Sequence, residues 1–370
     1  VDPIRVWESQ PAIRQTIDFM ARQVATLPLH VFARVDDTER HRVTDSPVTR
    51  VLGRPSKLVT PAHFWHGITV DFLLTDAACA VVAGDELVRV PPNMVELASD
   101  KMGRVNRVEI VNGADRLDVT DVPGFIVTGW GMSEAGGVSP LKTLAALIGE
   151  QSEAVDWQRR QWADRPKIAG MLTRPAEAPR WSDENRERFL KAWDRFKAGA
   201  VDGSTPVLEQ GMEYQPLTQQ LSPVDAQILD GRRLGAEEVA TAYHVPPELM
   251  GVRPGTFSNV QAFRTMLYGP ILGPMLTMFE QAVNQQLVPG LDDTAGLYVE
   301  FNREAGMAGS TLEQAQVYAK MVGGPVMTRA EARARMNLPY IEGTDDLIVP
   351  VNLGVGEPGR PELPPGETTE

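Results

Sequence analysis

Apolar residues recur at helical spacing near the start of the chain. In SQPAIRQTIDFMARQVATLPLHVFARV, Ile13, Ile17, Met20, Val24 and Leu27 are four, three, four and three residues apart, which predicts an amphipathic helix capped by Ser9. Pro28 ends it, and Leu29, Val31, Ala33 and Val35 then alternate with other residues as in a half-buried strand. Residues 60–76 read as another helix. Residues 77–128 read as short strands separated by AGDE, PPN, NGAD and DVPG, turn clusters spaced closely enough to predict a small sheet. Residues 1–137 are therefore read as one α/β unit.

The clearest helix signals follow in VSPLKTLAALIGEQSEAVDWQRRQWADRP, with Ser139 as cap, Pro140 at the first helical position and a stop at Pro166. Leu141, Ile148, Val155 and Trp162 fall seven apart, while the parallel row runs from Leu144 to Gln151 and Gln158, so the apolar stripe is narrow. A helix of about 26 residues would span about 39 Å. It reads as a strut packed against neighbouring copies.

Residues 167–217 read as a compact insert: a strand, the charged helix SDENRERFLKAWDRFKAG capped by Ser182, and a second strand, together a small βαβ core. Phe189, Trp193 and Phe196 share one side of that helix, and charge covers the rest. A second Ser-Pro start, Ser222-Pro223, opens a helix that ends at the prolines of VPP. After a Gly/Pro/Ser/Asn stretch, Phe263, Leu267, Ile271, Met275, Met278 and Ala282 recur at helical spacing straight through Gly269-Pro270 and Gly273-Pro274. An interior proline removes a hydrogen bond and clashes with the preceding turn, so this helix is expected to kink there. TLEQAQVYAKMV and MTRAEARARMNL read as two further helices, and a Pro/Gly/Glu-rich tail from 346 to 370 as disordered.

Composition narrows the function classes. At 42% hydrophobic and 23% charged residues the 370-residue chain has the balance of a folded soluble protein of more than one domain. Its longest apolar region is cut by Asp71 and Asp76, so no membrane span is expected. No secretory signal is expected at the N-terminus, and a chain that starts at Val1 suggests trimming. The single cysteine, Cys79, has no internal disulfide partner and reads as a small buried hydrophobe. A net charge of -13 argues against gripping nucleic acid through its phosphates, but it is compatible with a surface along which DNA slides.

The candidates for chemistry are weak. GFIVTGWGMSEAGGVSPL offers Gly129 and Gly131, but its next glycine, Gly136, is not at dinucleotide-binding spacing and no Lys-Ser/Thr follows. His63 and His66 lack further clustered ligands, so no metal site is expected. Glu237, Glu238 and His244 read as a solvated helix face. There is no G-x-S-x-G, and no catalytic residue or cofactor is expected.

The order of parts carries more than any of these motifs. IRQTIDFMARQVATLPLHVF, GGVSPLKTLAALIGE, DAQILDGRRLGAEEVATAYHVPPELMG and FSNVQAFRTMLYGPILGPMLTMFEQAVNQQL follow one another as in a known group of proteins. In this order the chain resembles, over nearly its whole length, the portal proteins or head-tail connectors of tailed double-stranded-DNA bacteriophages, of the family common among long-tailed phages with lambdoid head assembly. It departs from many relatives in LLTDAACAVVAGDELVRV, where a Gly-Asn step is missing, and in the brevity of the insert.

The resemblance implies an α+β portal fold: an α/β wing at 1–137 with 289–303 returning to it, and stem helices at 138–166 and 218–250. It further implies a small α/β clip at 167–217, a tunnel loop at 251–259, a long kinked helix at 260–288 and a helical crown at 304–345. It implies a homo-oligomeric ring, a dodecamer, at the portal vertex of the virion capsid and in the host cytoplasm during assembly. Double-stranded DNA passes non-specifically, and the large terminase, head-tail adaptor and major capsid protein are the expected partners. Tunnel-loop residues Val252, Arg253, Pro254, Gly255, Thr256, Phe257, Ser258 and Asn259 would line the DNA channel, with Arg253 as the phosphate contact and Ser258 and Asn259 as neutral donors. Asp183, Arg186, Arg188, Lys191, Asp194, Arg195 and Lys197 of the clip helix would dock partners. The alternatives are another ring-forming head-tail adaptor of the virion and, more distantly, a nucleotide-binding enzyme.

Overall fold

The computed structural model describes residues 2–36, 39–131, 134, 136–164, 170–175, 177, 180, 182–197, 212–216, 223–253, 260–292, 294, 296–307, 311–324, 326–336 and 338–348. The order opens with α1 (Pro3–Ser9), α2 (Pro11–Ala25), β1 (Leu29–Arg34), β2 (Arg40–Val43), α3 (Pro47–Gly53) and α4 (Pro61–Thr75). Strands β3 (Ala77–Ala83), β4 (Glu86–Val90), β5 (Val95–Ser99), β6 (Val105–Asn112), β7 (Asp115–Asp118) and β8 (Gly124–Thr128) follow. Next come α5 (Pro140–Thr143), α6 (Ala145–Asp164), β9 (Gly170–Thr173), α7 (Asp183–Lys197), β10 (Glu213–Pro216) and α8 (Pro223–Ala242). The rest is α9 (Val260–Met266), α10 (Gly273–Ala282), α11 (Val288–Leu291), β11 (Leu297–Phe301), α12 (Arg303–Met307), α13 (Thr311–Gly323) and α14 (Arg329–Arg335). This is a mixed helix-and-sheet protein with its elements in two units, Val1–Arg14 with Leu141–Arg253 and Gln15–Pro140 with Pro254–Glu370.

The first unit begins with a helix that periodicity does not reveal. Asp2 accepts from Ile4 N at 3.0 Å and Pro3 stands in the first turn, so a cap and a proline start α1 without any apolar repeat. Ser9 is consequently not the cap of the next helix: it is the last residue of α1, and its hydroxyl donates to Arg5 O. Gln10, buried, donates to Ser152 Oγ of α6 at 3.0 Å.

The expected 26-residue strut is interrupted at Leu144, leaving α5 and α6, with α6 20 residues long. It meets α8 where Gly235 leaves room for the Gln151 amide and for Leu147; a Cβ at Gly235 would overlap that amide. In the insert, β9 and β10 pair antiparallel, Thr173 against Glu213, so the unit is a hairpin-like pair bracketing α7 and not a parallel βαβ. The helix between them makes no parallel crossover.

Among the described residues the second unit holds three sheets, β11-β1-β2, β4-β3-β8 and β5-β6-β7, all antiparallel, and residues 77–128, where the turn signals predicted one small sheet, supply the last two. Turn spacing reports strand length and not partners, and β1 takes its partner β11 from near the other end of the chain. The predicted α2 stripe is buried, Ile17 and Val24 fully. Thr60 caps α4 through His63 N, and Trp65 of that helix, 3% exposed, is surrounded by rings. Its centroid lies 5.1 Å from Phe301, 5.9 Å from Phe125 and 6.1 Å from Phe279. Rings at such separations add to the area they bury.

The long proline-bearing helix opens into a π segment at Leu267–Ile271 that contains Pro270, the region where the kink was expected. Leu272 N donates to Leu267 O, five residues back, at 2.8 Å. The wider turn accommodates the missing N–H of Pro270 and adds a residue, which moves the buried stripe along by one. Of the expected positions, Leu267, Met275 and Ala282 are buried but Ile271 and Met278 only half-buried, while Leu272, Leu276, Phe279 and Val283, one residue on, are fully buried.

A second π segment, Val283–Leu287, joins two sheets. Asn284 pairs both ways with Val299 of β11, donating to its carbonyl at 3.0 Å and accepting from its N–H at 2.6 Å. Gln286 does the same with Ile126 of β8, at 3.0 and 2.7 Å. Residues two apart on a helix point to different sides, and here each side holds the edge strand of a different sheet. The amides close edges that would otherwise present unpaired backbone groups.

Candidate functional site

The end of α8 builds the region expected to matter most. Val239, Ala240, Tyr243 and Val245 are buried, which seats the last turn. His244 adopts φ 58°, Val245 N donates to Ala240 O at 2.9 Å and His244 N donates to Thr241 O at 2.9 Å. This is a Schellman termination with histidine in the left-handed position usually held by glycine. The two prolines that follow cannot continue the helix. Leu249 N bonds Pro246 O, Met250 N bonds Pro247 O and Gly251 N bonds Glu248 O, each three residues back, so 246–251 coils tightly. Gly251 at φ 70° then turns the chain.

That turn carries Arg253 back to α8. Its Nη2 donates to Glu237 Oε2 at 2.5 Å, and Arg233 Nε lies 3.6 Å from Glu237 Oε1. Glu237 is only 8% exposed, so it is not part of a solvated face; Glu238 and His244, by contrast, are exposed. The Arg253 hydrogen bond pulls the Glu237 carboxyl below its ordinary value, against the opposing effect of burial. Arg253 was expected as the phosphate contact, a role for which an unpaired cation would serve best. It is instead half-exposed and already paired, because the turn returns it to a carboxylate one helix face away. Val252 is half-buried, and residues 254–259, expected to supply the remaining channel contacts including Ser258 and Asn259, lie outside the described residues.

On α7, Asp183, Arg186, Arg188 and Lys191 are all exposed. Ser182 caps the helix through Asn185 N. Arg188 pairs with Glu184 at 3.1 Å and Lys191 with Glu187 at 3.8 Å, both one turn back. Such exposed pairs stabilise by about 0.5 kcal/mol at most, so they organise the face more than they hold the fold. Phe189 and Trp193 stack at 5.8 Å, as their shared side predicted. The side chains of Asp194, Arg195, Phe196 and Lys197 are outside the described residues.

The weak chemical candidates resolve into structure. Gly129 and Gly137 both pack against Asp76, where a Cβ would overlap the carboxylate. Asp76 caps α4 at φ 59°, its carbonyl accepts from Gly129 N and its carboxylate from Val138 N at 2.9 Å. The glycines of that loop thus allow a close approach to Asp76, which a sequence scan for phosphate loops cannot distinguish. His66 Nε2 lies 2.9 Å from Asp18 Oδ1 while His63 is exposed, and among the described residues no three His, Cys, Asp or Glu groups converge on a metal position. Cys79 is buried, and burial, with Asp71 nearby, pushes its thiol up to about 12. A 370 Å³ cleft lined by Leu29, His30, Val31, Arg42, Leu52 and Trp65 is mostly apolar and brings no acid and base together. No described helix is long and apolar enough to cross a membrane.

The signals missed in the sequence are long-range. Only the Arg233–Glu237 spacing of one helical turn hinted at the Glu237 cluster, and nothing local marked Asn284 or Gln286.

Known proteins resemble the chain along most of its length. A family model described as phage portal protein matches residues 11–337. The portal protein of Enterobacteria phage HK97 is 22% identical over 338 residues, 89% of this chain and 78% of that protein. A probable portal protein of Streptomyces phage phiC31 is 25% identical over 252 residues, 66% of this chain and 53% of its own. Among solved structures, the neck of an empty gene transfer agent particle computed with C6 symmetry has a TM-score of 0.68 at 19% identity, covering 92% of this chain and 95% of the matched one. The neck of the native particle computed with C12 symmetry has a TM-score of 0.65 at 18% identity, with 92% and 94% covered. At these identities the structural likeness shows the fold, and the family model supplies the assignment. The chain belongs to the phage portal protein family.

Proposed function

We propose that the protein is one subunit of a ring, twelve by its resemblance, that forms the DNA channel at one capsid vertex. Double-stranded DNA would pass it during packaging, be retained by it, and leave through it at ejection. It performs no chemistry in this reading: the force for packaging comes from the terminase that docks on it. The observation that carries the proposal is the likeness, over 92% of the chain, to neck structures computed with C6 and C12 symmetry.

The single chain supports it physically. No described residue of α6 is buried, and Val155, Trp157 and Leu234 of α6 and α8 remain 39%, 37% and 58% exposed. Neighbouring copies in a closed ring would cover both flanks of such struts. With a net charge of -13 per chain, the ring wall repels DNA and keeps it from lodging.

Within that ring, 1–137 with 289–303 would be the wing, 138–166 and 218–250 the stem, 167–217 the clip, 251–259 the tunnel loop, 260–288 the long kinked helix and 304–345 the crown. The loop would meet DNA, with Arg253 as its phosphate contact. The charged face of α7, with Asp183, Arg186, Arg188 and Lys191, would dock the large terminase and later the head-tail adaptor. The ring would sit among copies of the major capsid protein in the virion, having assembled in the host cytoplasm. Electron microscopy of the purified full chain should show rings with a central hole and countable symmetry. A stable monomer that turns over a substrate would overturn the proposal.

A further inference from the structure

We propose that Glu237 is a charge brake on the DNA contact: it holds Arg253 and Arg233 in place while cancelling their pull on the phosphodiester backbone. This rests on the channel reading above, in which Arg253 faces DNA, and concerns how strongly that contact grips.

Three observations carry it. The side chain of Glu237 is 11% exposed, whereas those of Arg253 and Arg233 are 53% and 55% exposed, so the anion is set inward and the cations outward. The arrangement is constructed: the Schellman end of α8, the tight turns of 246–251 and Gly251 at φ 70° together return Arg253 to the helix it has just left. The half-buried Glu248 adds a second carboxylate in the field of Arg253. The charges of Arg233 and Arg253 are thus formally matched by those of Glu237 and Glu248.

The consequences follow from the donor inventory. A guanidinium has five N–H groups, and Glu237 engages Arg253 through Nη2, which leaves other donors for a phosphate. A phosphate must nevertheless share Arg253 with a carboxylate 2.5 Å away. Should Arg253 swing toward DNA, Arg233 stays 3.6 Å from Glu237, so the buried carboxylate is not left without a cation. Arg253 can thus exchange between Glu237 and passing phosphates. A contact of this kind lets a duplex slide, whereas two uncancelled arginines per subunit would hold it.

The test uses the assembled full-length protein and a labelled duplex of about 30 base pairs, titrated by fluorescence anisotropy across a salt series. Glu237→Gln keeps a side-chain oxygen for the arginines and removes the charge. It should raise affinity about three- to fivefold at low salt and steepen the log–log salt slope by about 0.9 for each phosphate gained. Arg253→Gln should weaken binding, and the double variant, in which Arg233 alone is uncancelled, should fall between Arg253→Gln and Glu237→Gln. If Glu237→Gln rings bind no more tightly than the parent, the brake is overturned. If Glu237→Gln does not assemble, Glu248→Gln, which leaves the Glu237–Arg253 hydrogen bond in place, decides: a rise of about twofold supports the brake and no rise overturns it. Should Arg253→Gln and Arg233→Gln both leave duplex binding unchanged, this end of α8 does not meet DNA and the channel reading of the loop fails as well. A loss on Arg253→Gln without a gain on Glu237→Gln refutes the brake alone.

Discussion

Helices α10 and α6 make opposite use of their sequence. In α10, five of ten residues are buried, Gly273, Met275, Leu276, Phe279 and Ala282, and the side chains beyond them reach strands on either side. In α6, twice as long, no described residue is buried, and Val155 and Trp157 stand more than a third exposed. The first helix is satisfied by its own chain. The second has an apolar stripe too narrow for a core and too apolar for solvent, which is what the proposed ring would require of a subunit.

The largest test of that contrast is Phe279→Ala. Phe279 is fully buried and meets both Trp65 and Phe72, with centroids at 6.1 and 5.4 Å. Its truncation should cost about 3–5 kcal/mol, read as a lower urea midpoint of the unassembled chain. A loss below about 1 kcal/mol would mean that α10 is not the keystone of its unit.

Next in size is Asn284→Ala. Both hydrogen bonds to Val299 disappear and the edge of β11 is left open, for an expected loss of about 1–3 kcal/mol and faster exchange of the Val299 amide. Asn284→Asp keeps only the acceptor and should recover part of the protection. Trp157→Ala sits on the other side of the comparison. At 37% exposure it should change the unfolding midpoint of the single chain by only about 0.5 kcal/mol, yet weaken ring assembly in light scattering. Equal stability with intact assembly would show that the Trp157 flank of the stem is not covered by a neighbour.

The contrast also separates what a sequence discloses from what it hides. The helices α2, α4, α8 and α14 were legible from apolar spacing and their proline starts and stops, although the cap of α2 was misplaced at Ser9 and the reciprocal bonds of Thr328 and Glu331 that start α14 were not read. A disturbance of the helix at Pro270 was legible as well. Its consequence was not, because periodicity assumes a constant turn, and one π segment moved the buried face from Ile271 and Met278 to Leu272 and Phe279. The fate of Glu237 was hidden for a different reason. Two adjacent glutamates on a polar helix look solvated until a turn sixteen residues later brings Arg253 back to one of them. Sheet partition failed similarly, since the partner of β1 lies beyond the reach of any local pattern.

Acid should separate the two regions by sign, although the effect is the smallest of these. In the α10 unit, burial pushes the Asp71 and Glu280 carboxyls up, with Arg89, and with the Phe301 amide and Arg303, only partly opposing it. At the end of α8, the hydrogen bond from Arg253 pulls Glu237 down. As pH falls, a group with a raised folded pKa takes its proton before the unfolded chain does, so its contribution to stability is gained; a group with a lowered one takes it after, and its contribution is lost. Below the ordinary carboxylate range of about pH 4, therefore, the Glu237 cluster should loosen while the surroundings of Asp71 and Glu280 do not. Hydrogen–deuterium exchange at about pH 3.5 and pH 6, corrected for intrinsic rates, should show new uptake in peptides covering 233–253 before those covering 64–74 or 276–303. Uptake in the opposite order would mean that the ion pairs of the finished unit, and not the returning arginine, are the first to yield to acid.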